Sequence, residues 1–318
     1  MSTPDGEPAV LPPAEAFTAL ADGTRMAILQ TLAETTEPIG FSELRSRVGV
    51  EDSGRFNYHL DRLTGHFVRR VEGGYRLSSA GHRVIQAVLS GAITEDPSVP
   101  PTEVDIPCIY CGRPTVLEYR AGRVRQHCTG CAGTFGERIV DTDRASGDDD
   151  RGLPGGFVGE MGLPPAGIQG RSPRQLFETA VTRMSLELVS EANGICPRCS
   201  APIEATLHVC DDHDPTEPLC PSCASRYRVN AGVSCSTCTH QHTVPAIFYG
   251  LSNPELLGVL AERGIDPLRE WMAVDWSERL ESRDPVTVGI EASIDGTVVS
   301  AIVDDGLEVR SVSTEPGE

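Results

Sequence analysis

The chain has 318 residues, with 46 acidic against 27 basic side chains and a formal net charge of −19 at pH 7. Every basic residue is an arginine. So acidic a chain argues against a protein that coats nucleic acid non-specifically, and no apolar run approaches the roughly 20 residues of a membrane-spanning helix. A length of this order predicts two or three domains, and the mixture of helical and strand-like patterns along it makes the expected class α+β multidomain. Residues 1–13, proline-rich and acidic, read as a disordered leader with neither the basic nor the apolar region of a secretory signal, so the protein is expected in the cytoplasm. Eleven cysteines in that compartment point to bound metal rather than to disulfides.

Residues 14–93 form the first predicted domain. A helix begins at Ala14, and Asp22 is placed to cap a second one in which Met26, Leu29 and Leu32 face the core. Ser42–Val48 is a short amphipathic helix, capped by Ser42, with Leu44 and Val48 one turn apart. After a tight turn at Gly49–Asp52, Ser53 starts a helix running to Thr64, with Phe56, Leu60 and Leu63 as its buried stripe. The opposite face carries Arg55, Tyr58 and Arg62, flanked by Asn57 and His59. Phe67–Val71 and Tyr75–Leu77 read as strands around a turn at Glu72–Gly74, and Ser78–Leu89 closes the domain as a helix. Helix, turn, helix and two-stranded wing is the order of a winged helix-turn-helix, which offers its second helix to the DNA major groove. Between Phe41 and Arg83, eight arginines stand against five carboxylates, a cationic island in an anionic chain.

On these residues the segment from Ala16 to Ser90 resembles the DNA-binding domain of ArsR-type transcriptional regulators. Phe17–Leu29 is similar to that family's opening helices; Asn57–Leu63, followed by Val68, Arg69 and Arg70, is similar to its recognition helix and wing. The resemblance implies double-stranded DNA as partner and a homodimer formed by the first and last helices of the domain. Phe17, Leu20, Ile85 and Leu89 are the candidates for that interface, and they suit the core of one subunit equally well. The family's helix-borne thiolate sensor would fall around Glu43–Val48, where no cysteine stands, so arsenic or cadmium sensing is not implied. The candidate DNA contacts are Arg45, Ser53, Arg55, Asn57, Tyr58, His59 and Arg62 on the helix pair, with Arg69, Arg70 and Arg76 on the wing. The lysine-free, aromatic-poor composition also resembles that of cytosolic proteins of extreme halophiles, although an acidic protein from a GC-rich genome would look the same. In molar salt counterion release adds little affinity. Base-edge hydrogen bonds then matter more, and arginine serves them better than lysine.

Residues 94–107, rich in proline and acids, read as a linker. In 108–140, Cys108-x-x-Cys111 and Cys128-x-x-Cys131 bracket two strand-like segments joined by a turn at Arg120–Arg123. Each Cys-x-x-Cys points two sulfurs at one centre, and the hairpin brings the two pairs together as a zinc ribbon with a closed four-thiolate site. His127 reads as a solvated strand-end residue. Residues 141–171 are expected to be a second linker. The third region, 172–314, opens with a helix capped at Ser172-Pro173, carrying a stripe of Leu176, Ala180, Met184 and Leu188.

Its cysteine-rich zinc module, 196–243, holds four ligand pairs: Cys196 with Cys199, Cys210 with His213, Cys220 with Cys223, and Cys235 with Cys238. They suit two further zinc ions, which makes about three structural Zn2+ per chain, with His208 and His240 as competitors of His213. Sequential pairing would give two small ribbons and interleaving a cross-braced unit. Residues 202–209 carry no turn signal, and a strand rising about 3.3 Å per residue separates its ends. Interleaving is therefore favoured: Cys196, Cys199, Cys220 and Cys223 on one ion, Cys210, His213, Cys235 and Cys238 on the other. A capped helix at Asn253–Arg263, a short helix at Pro267–Val274 anchored by Trp271 and Trp276, and a three-strand meander (286–294, 297–303, 307–312) complete the chain. This order of modules loosely resembles halophilic archaeal regulators with uncharacterised C-terminal domains.

An enzyme is not expected. The Cys-x-x-Cys pairs lack the βαβ setting of a thioredoxin-like site, the His-x-Glu of a zinc deaminase is missing, and closed sites leave no open coordination position. The function expected is that of a DNA-binding transcriptional regulator whose zinc modules present a surface to a protein partner or ligand. The alternative is a zinc-dependent protein-interaction adaptor of the transcription machinery that never reads bases. A zinc or thiol-redox sensor is a third reading.

Overall fold

A computed structural model describes residues 11–136 and 156–316; the expected leader up to residue 10 and the linker up to residue 155 lie outside the described residues. The described residues form seven α-helices and four small antiparallel sheets, divided between two compact units, Met1–Glu95 and Asp96–Glu318.

The first unit runs α1 (Pro13–Leu20), α2 (Gly23–Ala33), α3 (Phe41–Val48), α4 (Ser53–Leu63), β1 (Val68–Val71), β2 (Gly74–Leu77) and α5 (Ser79–Leu89). Local chemistry sets the boundaries. The Asp22 carboxylate accepts the Arg25 amide at the start of α2, and Asp52 accepts the Arg55 amide at the start of α4, each satisfying an amide that the first helical turn leaves unbonded. Ser42 does not cap α3: the helix starts one residue earlier, with Gly40 at its N-cap and no side-chain cap bond. It ends at Gly49, whose φ of +77° is the left-handed conformation that favours glycine. Leu44, Phe56, Leu60, Leu63 and Leu29 are wholly buried and Leu32 nearly so, as the stripes predict, but in α2 Ile28 is wholly buried in place of the expected Met26, which is only partly buried. Val68 pairs with Leu77 and Val71 with Gly74, and a bridge from Ile39 to Tyr75 ties the hairpin to the loop ahead of α3.

The second unit is organised on a long helix, α6 (Pro173–Ala192), closed at its start by a reciprocal Ser172–Gln175 capping box. Along one side its Leu176, Ala180 and Val181 pack into the first sheet's core, while Leu188 belongs to a second core with Trp271, Tyr249 and the C-terminal sheet. The first sheet has the order β3 (Val99–Pro107), β4 (Pro114–Arg120), β5 (Arg123–Cys128), β6 (Gly156–Gly162). Two segments expected as linkers, 94–107 and 141–171, therefore each contribute a strand. Both strands lie at sheet edges, where proline is tolerated because an outward N–H needs no partner. Both also carry an apolar face, with Val104 and Ile106 in β3 and Phe157 and Met161 in β6 buried.

The second sheet is β7 (Ile203–Val209), β8 (Val229–Cys235), β9 (Gln241–Pro245). After α7 (Pro254–Glu262), the chain ends in β10 (Trp276–Arg283), β11 (Val286–Ile294), β12 (Thr297–Asp304) and β13 (Val309–Pro316), a four-stranded meander rather than the three-stranded one expected. The additional strand, β10, buries every second residue partially and pairs with β11. The helix expected at Pro267–Val274 shrinks to a single 3-10 turn, Trp271–Ala273. Trp271 is buried there, its indole N–H donating to Ser185 Oγ at 3.0 Å.

Candidate metal centres and nucleic-acid interface

Three clusters of cysteine and histidine converge in the second unit: Cys108, Cys111, Cys128, Cys131; Cys196, Cys199, Cys235, Cys238; and Cys210, His213, Cys220, Cys223. Within each, all ligand atoms lie within 4.8 Å of one another. The closest approaches are 3.4 Å from Cys111 to Cys128 and 3.7 Å from Cys108 to Cys131. Cys196–Cys238 and Cys199–Cys235 both stand at 3.6 Å, as does Cys223 Sγ from His213 Nδ1. A tetrahedral ion with metal–sulfur bonds near 2.3 Å needs edges of about 3.8 Å, so the donor sets fit a metal with little adjustment.

The clusters are built by a repeated local fold. In the pairs opened by Cys108, Cys196, Cys220 and Cys235, the amide of that first cysteine donates to the carbonyl five residues on, at Arg113, Ala201, Ser225 and His240. In three of them the residue two after the second cysteine's predecessor is left-handed: Gly112 (φ +71°), Ser200 (φ +65°) and Ala224 (φ +52°). This folding-back aims both sulfurs of a pair at one point. Amides also donate to sulfur, Gly130 to Cys128 at 3.2 Å and Thr237 to Cys235 at 3.4 Å. Burial opposes the ionisation of Cys128, yet the Gly130 amide and the neighbouring thiols hold it down to about 7. The Thr237 amide leads in lowering Cys235 to about 7, and the Asp214 amide does the same for Cys220. Burial keeps His213 below its usual value, favouring the neutral imidazole that can ligate.

The pairing of the last eight ligands is neither interleaved nor sequential. It is nested, with the outer two pairs together and the inner two together. The premise that β7 separates its ends holds. But β8 returns beside it, antiparallel, so that Ile203 faces Cys235 and Val209 faces Val229. A long hairpin with ligand pairs at all four strand ends can only close one cluster at its tip and one at its base. His213 takes the ligand position, and neither competitor does: His208 lies on β7 beside Gly232, and His240 is turned to Glu191. The tip cluster is joined to the first ribbon, because the Arg226 guanidinium lies 4.1 Å over the Tyr110 ring and its amide donates to the Thr134 carbonyl. His127 is not solvated: it is buried against Phe157, and burial pushes its pKa down to about 4.

In the first unit, Arg55, Asn57, Tyr58 and Arg62 are exposed on α4, as are Arg69 and Arg70 on β1 and Arg76 on β2. Among the described residues no carboxylate lies within ion-pair distance of those five arginines. Tyr58 stays 61% exposed although it is a large aromatic. Ser53 is exposed at the helix start. Asn57 is engaged with Asp61 at 2.8 Å, and Arg45, half-buried, donates to the Glu51 carbonyl at 3.1 Å. His59 does not share this face. It is buried, with Nδ1 3.4 Å from Asp22 at the start of α2, so its place is in the joint between two helices. Of the four apolar residues expected at a dimer interface, Phe17 and Leu89 are exposed at 73% and 61%, whereas Ile85 is core.

A further constellation went unread in the sequence: Glu191, His240 and His242 also bring their donor atoms together. Its signal was a His-x-His directly after the last cysteine pair. The carboxylate lies 49 residues earlier, at the end of α6, where spacing gave no hint of it.

No helix of the described residues is long and apolar enough to cross a membrane. A family described as Domain of unknown function (DUF7347) matches residues 13–88, which begins at the first residue of α1 and ends within α5. No curated protein and no solved structure matches the chain. A second family, described as Domain of unknown function (DUF7351), matches residues 105–309, the span from within β3 to the first residue of β13, and it is to this family that the chain belongs.

Proposed function

We propose that the chain is a DNA-binding transcriptional regulator in which the first unit is a winged helix-turn-helix and α4 enters the major groove. The observation that carries this reading is the exposed, uncompensated set Arg55, Tyr58 and Arg62 on α4, continued by Arg69, Arg70 and Arg76 on the hairpin, in a chain of net charge −19. A solvated surface in so acidic a protein has no need of unpaired arginines. Guanidinium groups on the exposed side of a helix, by contrast, match the acceptors of guanine, and those on a wing match phosphate. Arg45 and Ser53 at the helix turn would touch the backbone, and Asn57 would read a base once released from Asp61. Phe17 and Leu89, too exposed for core, are the apolar contacts of a homodimer that sets the spacing of two half-sites.

The metal in the three clusters is zinc, in closed structural sites, and it fixes the strand ends and loops that lie beyond the two apolar cores, metal binding there being folding free energy. The second unit presents its surface to a protein partner or ligand in the cytoplasm. The test is selection of duplexes from a random pool with the zinc-loaded protein at high salt, followed by titration of the enriched duplex. Replacing Arg55 and Arg62 together by alanine is expected to weaken binding by at least about tenfold and to erase sequence preference, since each bidentate base contact is worth roughly 1–3 kcal/mol. An enriched duplex bound equally by the double variant, or no enrichment at all, would favour the adaptor reading.

A further inference from the structure

Glu191 sits in the last turn of α6 and is 1% exposed. A carboxylate is poorly placed there, because the carbonyl end of a helix repels negative charge and burial removes its hydration. Three groups gather on it. His240 Nε2 stands 2.7 Å from Oε1, His242 Nε2 3.0 Å from Oε2, and the Tyr249 hydroxyl donates to Oε2 at 2.7 Å. His242 is the second residue of β9 and His240 lies one residue ahead of that strand. All three donor atoms lie within 4.8 Å of one another.

The two histidine–carboxylate separations, each to its own oxygen, are close to the edges of a coordination sphere. Neighbouring ligands of a six-coordinate ion with bonds of 2.0–2.1 Å stand about 3 Å apart, and two histidines with one carboxylate are a donor set that leaves positions open. The setting also has room. A cavity of about 570 Å3 lies between β5–β6, α6 and β7–β9, and His240 and His242 are part of its wall. The Tyr249 hydroxyl, which donates to Oε2 and also lies 3.1 Å from His242 Nε2, is the outer partner that fixes a metal-binding oxygen.

We propose that Glu191, His240 and His242 form a fourth cation site, of nitrogen and oxygen donors, that takes a first-row divalent ion and turns its open positions to the cavity. It differs in kind from the thiolate clusters. Three donors hold an ion less tightly than four, so this ion exchanges while the others stay, and it carries water or a small anionic ligand from the cavity. The site does not depend on whether the first unit binds DNA.

Co2+ alone is the probe. Protein carrying zinc in its thiolate clusters is dialysed against Co2+, which is not expected to displace zinc from sulfur. Cobalt and zinc are counted, and X-ray absorption at the cobalt edge reads the first shell. The expected result is one cobalt per chain with a shell of nitrogen and oxygen including imidazole. H242A should keep its zinc and bind Co2+ at least about tenfold more weakly. If H242A loses zinc, the smaller change H242N replaces it. No cobalt retained by the wild type, a sulfur-containing shell, or equal retention by a zinc-loaded variant would each overturn the proposal.

Discussion

Glu278 on β10 gives a sharp test of the second unit's packing. Its carboxylate accepts the amides of Arg228 and, at 3.4 Å, Val229, while its second oxygen has no partner among the described residues. Burial pushes the group up from 4.5 to about 7, against the pull of those two amides and of the Arg228 charge. Tyr227, also buried beside it, contributes no positive charge to relieve it. A carboxyl raised in the folded state contributes stability that is complete below its unfolded value and is lost as pH rises through the folded one. At 1.36 kcal/mol per unit, the penalty for ionising Glu278 reaches about 3 kcal/mol well above neutrality, and about 2 kcal/mol of it appears between about pH 5.5 and 8.5. Glu278→Gln removes the titration. The stability of this variant relative to wild type is therefore expected to improve by about 2 kcal/mol across that range, whatever fixed offset the new amide brings. Urea unfolding followed by tryptophan fluorescence measures it, because both tryptophans of the chain, Trp271 and Trp276, belong to the second unit. Zinc is kept in excess, and the pH dependence of the thiolate ligands cancels in the difference between the two proteins. A difference that stays level with pH would refute the reasoning.

Metal stoichiometry tests the nested pairing. Cys196→Ser with Cys235→Ser is expected to cost one bound ion, both cysteines serving the same cluster, whereas Cys196→Ser with Cys220→Ser should cost two; interleaved sites would reverse that outcome. In the first unit, Asp22→Ala removes both the cap of α2 and the carboxylate beside His59, and a loss of about 1 kcal/mol is expected in thermal unfolding of that unit. Because the Arg25 amide leads in holding Asp22 below its ordinary value, its contribution is present above the usual carboxylate range and is lost as pH falls through the lowered value. That loss at acid pH should be absent from Asp22→Ala. Leu89→Glu, on an exposed position, should leave the fold intact and shift sedimentation from dimer to monomer; an unchanged sedimentation coefficient would remove these helices from the interface.

Much of the first unit was legible because its signals are local. Asp22 precedes an apolar repeat, and Phe56, Leu60 and Leu63 recur with the helical period. His59 was misplaced because angular position alone cannot tell a flank that meets solvent from one that meets a neighbouring helix, here the start of α2. In the second unit the ligand identities followed from cysteine spacing, but their partnership did not. That is decided by the return of β8 along β7, and pairing between distant strands leaves no periodic mark on either. Residues 94–107 and the stretch opening β6 looked like linkers because proline, glycine and acidic residues dominate them, yet an edge strand needs only one apolar side and one row of hydrogen bonds. Glu191 carried the least trace: inside a helix it reads as solvent-facing until His240, His242 and Tyr249 close over it.

The central claim is that the arginines of α4 and the hairpin are exposed because they meet DNA. Genome-wide crosslinking of the tagged chain, wild type beside the Arg55→Ala, Arg62→Ala double variant, tests it most directly. Discrete sites sharing a sequence motif, lost in the variant at equal protein abundance, are the expected result. Crosslinks that persist in the variant, or that follow the transcription machinery without a shared motif, would contradict it.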